Sequence, residues 1–169
     1  MRQALKLLLP ATVRDYFRDI QFRLSILETL VDTLIESPVY RASDAAGFNG
    51  QLGRKQLFQS IVTTCGIEAI VETGTWIGNT TGYMAETTQL PVYSSEVNPR
   101  FYRIAQQRLA AFANIHLAQL DSRQFLHQVS TLNLVNQCVF FYLDSHWYND
   151  LPLREEIVLI ASRWQRFVI

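Results

Sequence analysis

The sequence predicts an α/β fold in which a doubly wound parallel sheet carries helices on both faces. From residue 69 onward, short apolar runs typical of strands alternate with segments long enough to form helices. Strands separated by helices are joined by right-handed crossovers, and these give a parallel sheet. The run Val139–Asp144 is strongly apolar, as is typical of a strand covered on both faces.

The N-terminal part precedes this alternation. Apolar residues recur every three or four positions over Val13–Glu36, which predicts a helix, and Ser37-Pro38 ends it. We expect this helix either to pack on its own domain or to pair with another subunit or a membrane surface. Pairing with another subunit would give a homo-oligomer. Arg41–Arg54 reads as a loop, either a lid over a ligand or a plain connection, and Lys55–Thr64 as a helix.

The alternating region divides into regular elements. We expect strands at Ala69–Glu72, Pro91–Glu96, Ile115–Gln119, Val139–Asp144 and Phe167–Ile169, and helices at Thr80–Thr88, Pro99–Ala113, Ser122–Ser130 and Leu151–Trp164. Because the last strand has only begun when the sequence stops, we expect the C-terminal part of the fold to be missing. The predicted domain organisation is an N-terminal helix and lid-like loop over 1–54, followed by a ligand-binding domain over 55–169.

Composition narrows the class of protein. The formal net charge is +0, and no basic stripe suggests a nucleic-acid partner. No run approaches the ~20 apolar residues that span a bilayer, and the leucine run before Pro10 is too short for a signal peptide. Cys65 and Cys138 lie far apart and outside any metal-binding spacing, so we expect both to be reduced and buried in a cytoplasmic protein.

The most informative segment follows the first predicted strand of the sheet. There Glu72 ends an apolar strand, Gly74 and Gly78 follow, and hydroxyl residues open the next helix. Ligands of open α/β sheets bind beyond the carboxyl ends of the strands, and glycine lets the backbone turn and approach a ligand closely. Asn79, Thr80 and Thr81 are candidate helix caps beside amides that favour negatively charged groups.

Two further acidic residues follow the next two strands. Glu96 lies about twenty residues beyond the glycine turn, where a carboxylate can accept both hydroxyls of a ribose, or it is a solvated acid before Asn98-Pro99. Asp121 and Ser122 follow the third strand, where a carboxylate can hold an adenine amino group, cap the next helix, or do both.

The loop after the fourth strand, 144–153, combines carboxylates, a histidine and aromatic residues. An imidazole accepts protons near neutral pH, so His146 is suited to remove a proton from a substrate hydroxyl. Asp144, with His146 or a second carboxylate, is also a candidate ligand for a divalent cation. Alternatively, Asp150 caps the following helix and His146 is merely hydrogen-bonded.

Together these motifs resemble those of class I S-adenosylmethionine-dependent methyltransferases, most closely the group around macrocin O-methyltransferases and the cephalosporin-hydroxylase-like proteins. The resemblance covers roughly residues 48–169 and implies a Rossmann-like sheet of strand order 3-2-1-4-5. It implies that Glu72, Gly74 and Gly78 hold the methionine part of the cofactor, Glu96 the ribose and Asp121 the adenine region. The neighbouring cofactor-binding candidates are Thr75, Asn79, Thr80 and Ser122.

The same resemblance implies O-methylation of a small-molecule hydroxyl, with Asp144 and His146 as candidate catalytic residues. Asp144 would also be one ligand of Mg²⁺, although the sequence stops before the further acidic ligands of related proteins. A nicotinamide-dependent oxidoreductase is the main rival enzyme, but Trp76 replaces a glycine of its Gly-x-Gly-x-x-Gly turn. A non-catalytic or truncated interaction module is the rival from another class.

Overall fold

A computed structural model describes residues 11–36, 47–146 and 151–169, and the chain divides into two compact units, 1–40 and 41–169. In the first unit, helix α1 spans Ala11–Glu36 and carries exposed ion pairs between Asp15 and Arg18 and between Asp19 and Arg23. Oligomerisation through this helix stays a prediction.

The second unit contains the alternating elements that the sequence predicts. Its helices are α2 (Leu52–Cys65), α3 (Asn79–Thr88), α4 (Pro99–Leu109), α5 (Ser122–Val129) and α6 (Leu153–Arg163), and its strands are β1 (Ala69–Thr73), β2 (Val92–Ser95), β3 (Ile115–Ala118), β4 (Cys138–Leu143) and β5 (Arg166–Val168). The strands form one sheet of order β3-β2-β1-β4-β5, and every pairing is parallel. The predicted α/β class and strand order are therefore confirmed.

The register of the sheet aligns the strand ends. Thr73 at the end of β1 lies beside Ser95 of β2 and Leu143 of β4, and Ser95 lies beside Ala118 of β3. The segments that follow these four strands therefore begin at one edge of the sheet. All three acidic residues that we expect beyond β2, β3 and β4 belong to those segments.

Apolar side chains cover both faces of the sheet. One core packs side chains of α2 and α3 on the sheet around Phe58, Ile70 and Met84, and the other packs α5 and α6 on it around Leu126, Phe141 and Ile160. Each strand of the sheet's centre therefore contributes to two cores. This explains why all five residues of β1 are buried and why β4 reads as a continuous apolar run.

Several local predictions differ from the structure. Helix α2 begins at Leu52 rather than Lys55, and two 3₁₀ turns, Gly47–Gly50 and Asn133–Asn136, were not predicted. The prediction that both cysteines are buried was wrong for Cys65, which is exposed at the end of α2. Both cysteines are free.

None of the described helices is both long and apolar enough to cross a bilayer. Residues 37–46 and 147–150 lie outside the described parts. The predicted cap at Asp150 and residues 41–46 of the predicted lid over Arg41–Arg54 therefore fall outside the described parts, while residues 47–54 of that segment form a 3₁₀ turn and the start of α2.

Candidate functional site

A cavity of about 410 Å³ opens at the carboxyl ends of the strands. Residues of five segments line it, and they include Gly74 after β1, Glu96 after β2, Asp121 after β3, and Asp144 and His146 after β4. The 3₁₀ turn before α2 adds Asn49. The cavity thus brings together residues that are 103 positions apart in the sequence at the extremes, from Asn49 to Pro152.

The turn after β1 forms the floor of this cavity. The amides of Gly74 and Thr75 both donate to the carbonyl of Ser95, at 3.0 Å. A Cβ on Gly74 would lie 2.7 Å from the Asp144 carbonyl oxygen, and the Gly74 φ of +88° disfavours any side chain. Gly74 is therefore required for the approach of the β1 and β4 loops, in addition to any contact with a ligand.

The start of α3 is held by tertiary contacts instead of the caps that the sequence predicts. Gly78 is the N-cap and has no side chain to offer, while the hydroxyl of Thr80 accepts from the Phe48 amide at 3.1 Å. Asn79 accepts from Arg108 of α4, and Thr81 donates to Glu72. The capping prediction for Asn79, Thr80 and Thr81 was therefore wrong, because these side chains bind other elements.

Glu72 lies behind the turn and is only 1% exposed. Its Oε2 accepts hydrogen bonds from the hydroxyls of Thr81 and Ser94, both at 2.5 Å. The pKa of Glu72 is raised to about 7: burial raises it most, the hydrogen bonds from Ser94 and Thr81 lower it, and the charges of Asp144 and Glu96 raise it. Glu72 does not line the cavity, and its role toward a ligand stays a prediction.

This pKa predicts a stability change with pH. The folded pKa is about 7 against an ordinary 4.5, so the folded state holds the Glu72 proton more tightly and the free energy of unfolding falls as pH rises between these values. Below about pH 4.5 Glu72 is protonated in both states and costs no stability, and above about pH 7 the full cost of burying its charge lowers the free energy of unfolding. We expect Glu72→Gln to be more stable than wild type at pH 8, relative to pH 4.5, by about 3 kcal/mol.

Urea unfolding of both proteins at these two pH values measures this difference, because the contributions of unaffected groups cancel between them. Glu86→Gln, an exposed glutamate of α3, is the matched control. Equal pH dependence in wild type and Glu72→Gln would contradict the burial argument.

Glu96 orders the cavity wall with both carboxylate oxygens. Its Oε2 accepts from the amide of Trp76 and its Oε1 from the amide of Asn98, each at 2.8 Å. Trp76 has a φ of +50°, a strained conformation for a bulky residue, and its ring meets Phe101 edge to face at 6.3 Å. A carboxylate oxygen has more than one lone-pair site, so Glu96 still has room to accept from a diol.

Asp121 is confirmed as the N-cap of α5 and is also paired. Its Oδ1 accepts from the amide and Nε of Arg123, and its Oδ2 accepts from Nη2 at 2.8 Å. The hydrogen bond from Arg123 lowers the pKa of Asp121, so this carboxylate stays charged. Ser122 is buried and lies outside the cavity, beside the buried carboxyl of Glu156, whose pKa burial raises.

Asp144 and His146 lie in the loop after β4. The Asp144 amide donates to Thr73 at 2.9 Å, and the His146 Nδ1 lies 3.2 Å from the Asp144 carbonyl oxygen. Desolvation raises the pKa of the Asp144 carboxyl, while the charges of His146 and Arg54 act in the opposite direction. Within the described residues no three metal-ligating side chains gather around an ion-sized space, and Asp144 as a magnesium ligand stays a prediction.

The structure therefore divides the predicted site residues into two groups. Gly74, Glu96, Asp121, Asp144 and His146 line the cavity. The other predicted site residues do not line the cavity: Glu72, Thr75, Gly78, Asn79, Thr80 and Ser122.

Sequence reasoning missed several lining residues. These are Ser95, Val97, Phe101, Leu120, Ser145 and Pro152, whereas Asn49 belongs to the predicted lid-like loop. Leu120 and Val97 follow strands, so the strand ends themselves carried the signal that would have found them. Trp76, which the sequence marks only as an obstacle to a dinucleotide, is one wall of the cavity.

Comparison with known proteins supports the fold. No protein-family model matches the chain, and no curated protein matches it. The chain is similar in structure to the O-methyltransferase TomG from Streptomyces achromogenes, involved in tomaymycin synthesis and solved with S-adenosylmethionine (TM-score 0.59, 14% identity, 75% of this chain and 60% of that one). It is also similar to the O-methyltransferase from Bacillus cereus solved with S-adenosylhomocysteine (TM-score 0.56, 15% identity, 68% and 53%).

These similarities show that the chain shares a Rossmann-like α/β fold with these two structures. The chain spans between half and two thirds of the length of these two structures. The macrocin-like subgroup stays a prediction.

Proposed function

We propose that this chain transfers a methyl group from S-adenosylmethionine to a hydroxyl of a small molecule. One observation carries the proposal: three carboxylates line the cavity at the strand ends, and within the described residues no lysine or arginine lines it. Such a site favours a ligand with cationic groups, and S-adenosylmethionine carries a sulfonium and an ammonium. A dinucleotide would instead bring the two negative charges of its pyrophosphate next to Glu96, Asp121 and Asp144.

The residues present fit the cofactor. The diol of its ribose suits Glu96, whose orientation is held by two backbone amides, and the adenine amino group suits the remaining acceptor capacity of Asp121. The amino-acid end suits the turn at Gly74, where the buried carboxyl of Glu72 lies behind the backbone. The solved O-methyltransferases with bound cofactor or product support this assignment through the shared fold.

When bound, the cofactor supplies an electrophilic methyl group, whose bond to sulfur breaks as the bond to the acceptor oxygen forms. The chain's own task is to align the acceptor hydroxyl and take its proton. His146 lines the same cavity as the carboxylates, and its ring is oriented through Nδ1 by the Asp144 carbonyl. We assign to His146 the removal of the proton from the acceptor hydroxyl. The neighbouring Asp144 favours the positive charge that develops on the imidazole ring.

Binding of the product S-adenosylhomocysteine tests the cofactor assignment. We expect S-adenosylmethionine and S-adenosylhomocysteine to raise the melting temperature and NAD to leave it unchanged, because a ligand that binds only the folded state stabilises it. A rise with NAD alone would favour an oxidoreductase, and no rise with any of the three would favour an interaction module.

The ribose role of Glu96 is tested by calorimetry. We expect Glu96→Ala to weaken S-adenosylhomocysteine binding about tenfold to a hundredfold, since a hydrogen bond to a charged group contributes about 1.5 to 3 kcal/mol. Glu86→Ala, at an exposed site on α3, is the matched control.

Because Glu96 also holds the Trp76 amide, a second ligand separates the two roles. The 2′-deoxy analogue of S-adenosylhomocysteine should bind wild type more weakly than the parent compound does, and Glu96→Ala should bind both alike. A variant that still prefers the parent compound would place the ribose contact elsewhere.

A further inference from the structure

Three buried polar side chains meet outside the cavity, on the side of the sheet that α5 and α6 cover. Thr73 ends β1, Ser122 begins α5 and Glu156 lies in the first turn of α6. They are 0%, 4% and 1% exposed. This buried polar cluster therefore joins three segments that are far apart in the sequence, at a place that solvent does not reach.

The polar atoms of this cluster lack ordinary partners. Neither carboxyl oxygen of Glu156, nor the hydroxyl oxygen of Thr73 or Ser122, has a hydrogen bond of ordinary geometry to a described residue. The two hydroxyls nevertheless lie close enough to Glu156 to affect its pKa. Because buried polar groups are nearly always hydrogen-bonded, such orphaned atoms call for an explanation. The partners within reach are the members of the cluster themselves.

A proton on Glu156 lets the cluster satisfy itself. A neutral carboxyl donates through one O–H and still accepts, whereas a carboxylate only accepts. Burial has the largest influence on the pKa of Glu156 and raises it. The hydroxyls of Ser122 and Thr73 lower that pKa, as does the charge of Arg123, and the charge of Asp121 raises it. Two charged groups of α5 and its cap thus face Glu156 with opposite effects, and β1 presents a neutral hydroxyl to it.

Each member of the cluster lies next to the wall of the cavity. Gly74 and Asp121 line the cavity and are the immediate sequence neighbours of the members from β1 and α5. Pro152 also lines it, and its carbonyl accepts from the Glu156 amide at 3.0 Å. A bond between the three side chains therefore fixes the distances between three parts of the cavity wall.

Helix α6 also contacts the same wall from the solvent side. Its Glu155 accepts from Nη1 of Arg123 at 3.0 Å, and Arg123 in turn donates to Asp121 at 2.8 Å. Exposed ion pairs of this kind contribute little to stability, because water and salt screen them. The buried contact through Glu156 is the one that water does not weaken.

We propose that Glu156 is a positioning residue, whose neutral carboxyl joins Thr73 and Ser122 and so holds the wall of the cavity in the arrangement that binds S-adenosylmethionine. This inference rests on the proposed function, because it assigns a residue that shapes the cofactor site without touching the ligand. Ionisation of Glu156 removes the donor of the cluster and adds a negative charge that faces Asp121. The affinity for the cofactor therefore falls as pH rises through the titration of Glu156.

Calorimetry with S-adenosylhomocysteine from about pH 5 to about pH 9 tests this role in wild type and Glu156→Gln. Glutamine both donates and accepts at every pH, so it reproduces the neutral acid without titrating. We expect similar affinities at low pH, and at high pH an affinity about threefold to tenfold weaker in wild type, the effect of about one hydrogen bond. The titrations of Glu72, of His146 and of the ligand are common to both proteins and cancel in the ratio. Glu86→Gln, at an exposed site on α3, should follow wild type.

Glu156→Leu separates positioning from packing. Leucine fills much of the same space and cannot hydrogen-bond, and replacing buried ionisable groups by apolar ones often leaves stability unchanged or raises it. We expect this variant to unfold in urea at a concentration no lower than wild type does, yet to bind S-adenosylhomocysteine about threefold to tenfold more weakly at low pH. A residue that only supports the fold would lose affinity and stability together.

Two results overturn the inference. They are the same pH dependence of affinity in wild type and Glu156→Gln, or wild-type affinity in a folded Glu156→Leu protein. Circular dichroism shows whether each variant is folded, and the comparison with Glu156→Gln decides alone if the leucine variant is not. Wild type that binds no S-adenosylhomocysteine at any pH would refute the proposed function and this inference with it, whereas binding that neither substitution alters refutes this inference alone.

Discussion

The His146→Ala enzyme is expected to transfer methyl groups about 10² to 10⁴ times more slowly than wild type, with little change in S-adenosylhomocysteine affinity. The reason is that His146 lines the cavity at the loop that also carries Asp144, where it can take the acceptor's proton, and it contributes no contact on which the cofactor assignment depends. Transfer from radiolabelled S-adenosylmethionine to an acceptor that wild type methylates measures the rate, and calorimetry measures affinity.

The matched control is His127→Ala, an exposed histidine of α5 outside the cavity, which should retain full activity. If His146→Ala also turns over at the wild-type rate, a group other than His146 removes the proton of the acceptor hydroxyl. Asp144 is then the next candidate, and Asp144→Asn should show the loss.

The Gly74→Ala protein is expected to lose most of its S-adenosylhomocysteine affinity and about 1 to 3 kcal/mol of its free energy of unfolding. The added Cβ would lie 2.7 Å from the carbonyl oxygen and 2.8 Å from the carbonyl carbon of Asp144, and backbone atoms cannot rotate away as a flexible side chain does. Moving that backbone displaces the cavity floor and the loop that carries His146. Urea unfolding and calorimetry measure the two effects.

Gly53→Ala is the control for this substitution. Gly53 lies in the first turn of α2, a Cβ there meets nothing within 4 Å, and its backbone is helical. Alanine is the better helix former, so this variant should equal or exceed wild-type stability and keep its affinity. Wild-type behaviour of Gly74→Ala would show that the β1 and β4 loops can separate without cost.

Local patterns were sufficient for the elements of the sheet. The strands β1 and β4 are covered on both faces of the sheet, and residues 69–71 and Cys138–Leu143 are accordingly a nearly continuous apolar run in each, which is visible without knowing their neighbours. The cap at Asp121 and the proline that begins α4 were also correct, because a cap and a first-turn proline act within a few residues of themselves. The strand order followed from the family resemblance rather than from any single segment.

The side chains around the turn after β1 make their hydrogen bonds to residues far away in the sequence, so local patterns do not predict their roles. Asn79, Thr80 and Thr81 have the composition of helix caps, yet each binds a residue of another element. The Oε2 of Glu72 accepts from two buried hydroxyls, one of them 22 positions away in the sequence. The pairing of Asp121 with Arg123, by contrast, lies within one turn and was open to prediction.

The sequence by itself determined the number and kind of the β/α elements and placed acidic residues directly after the strands, because strand burial and turn chemistry depend on neighbours along the chain. Only the tertiary structure decided which of these residues share a cavity and which, like Glu72, do not line it. Those outcomes depend on register and helix packing between segments far apart in the chain, and the free energy of each contact exists only once both segments are in place.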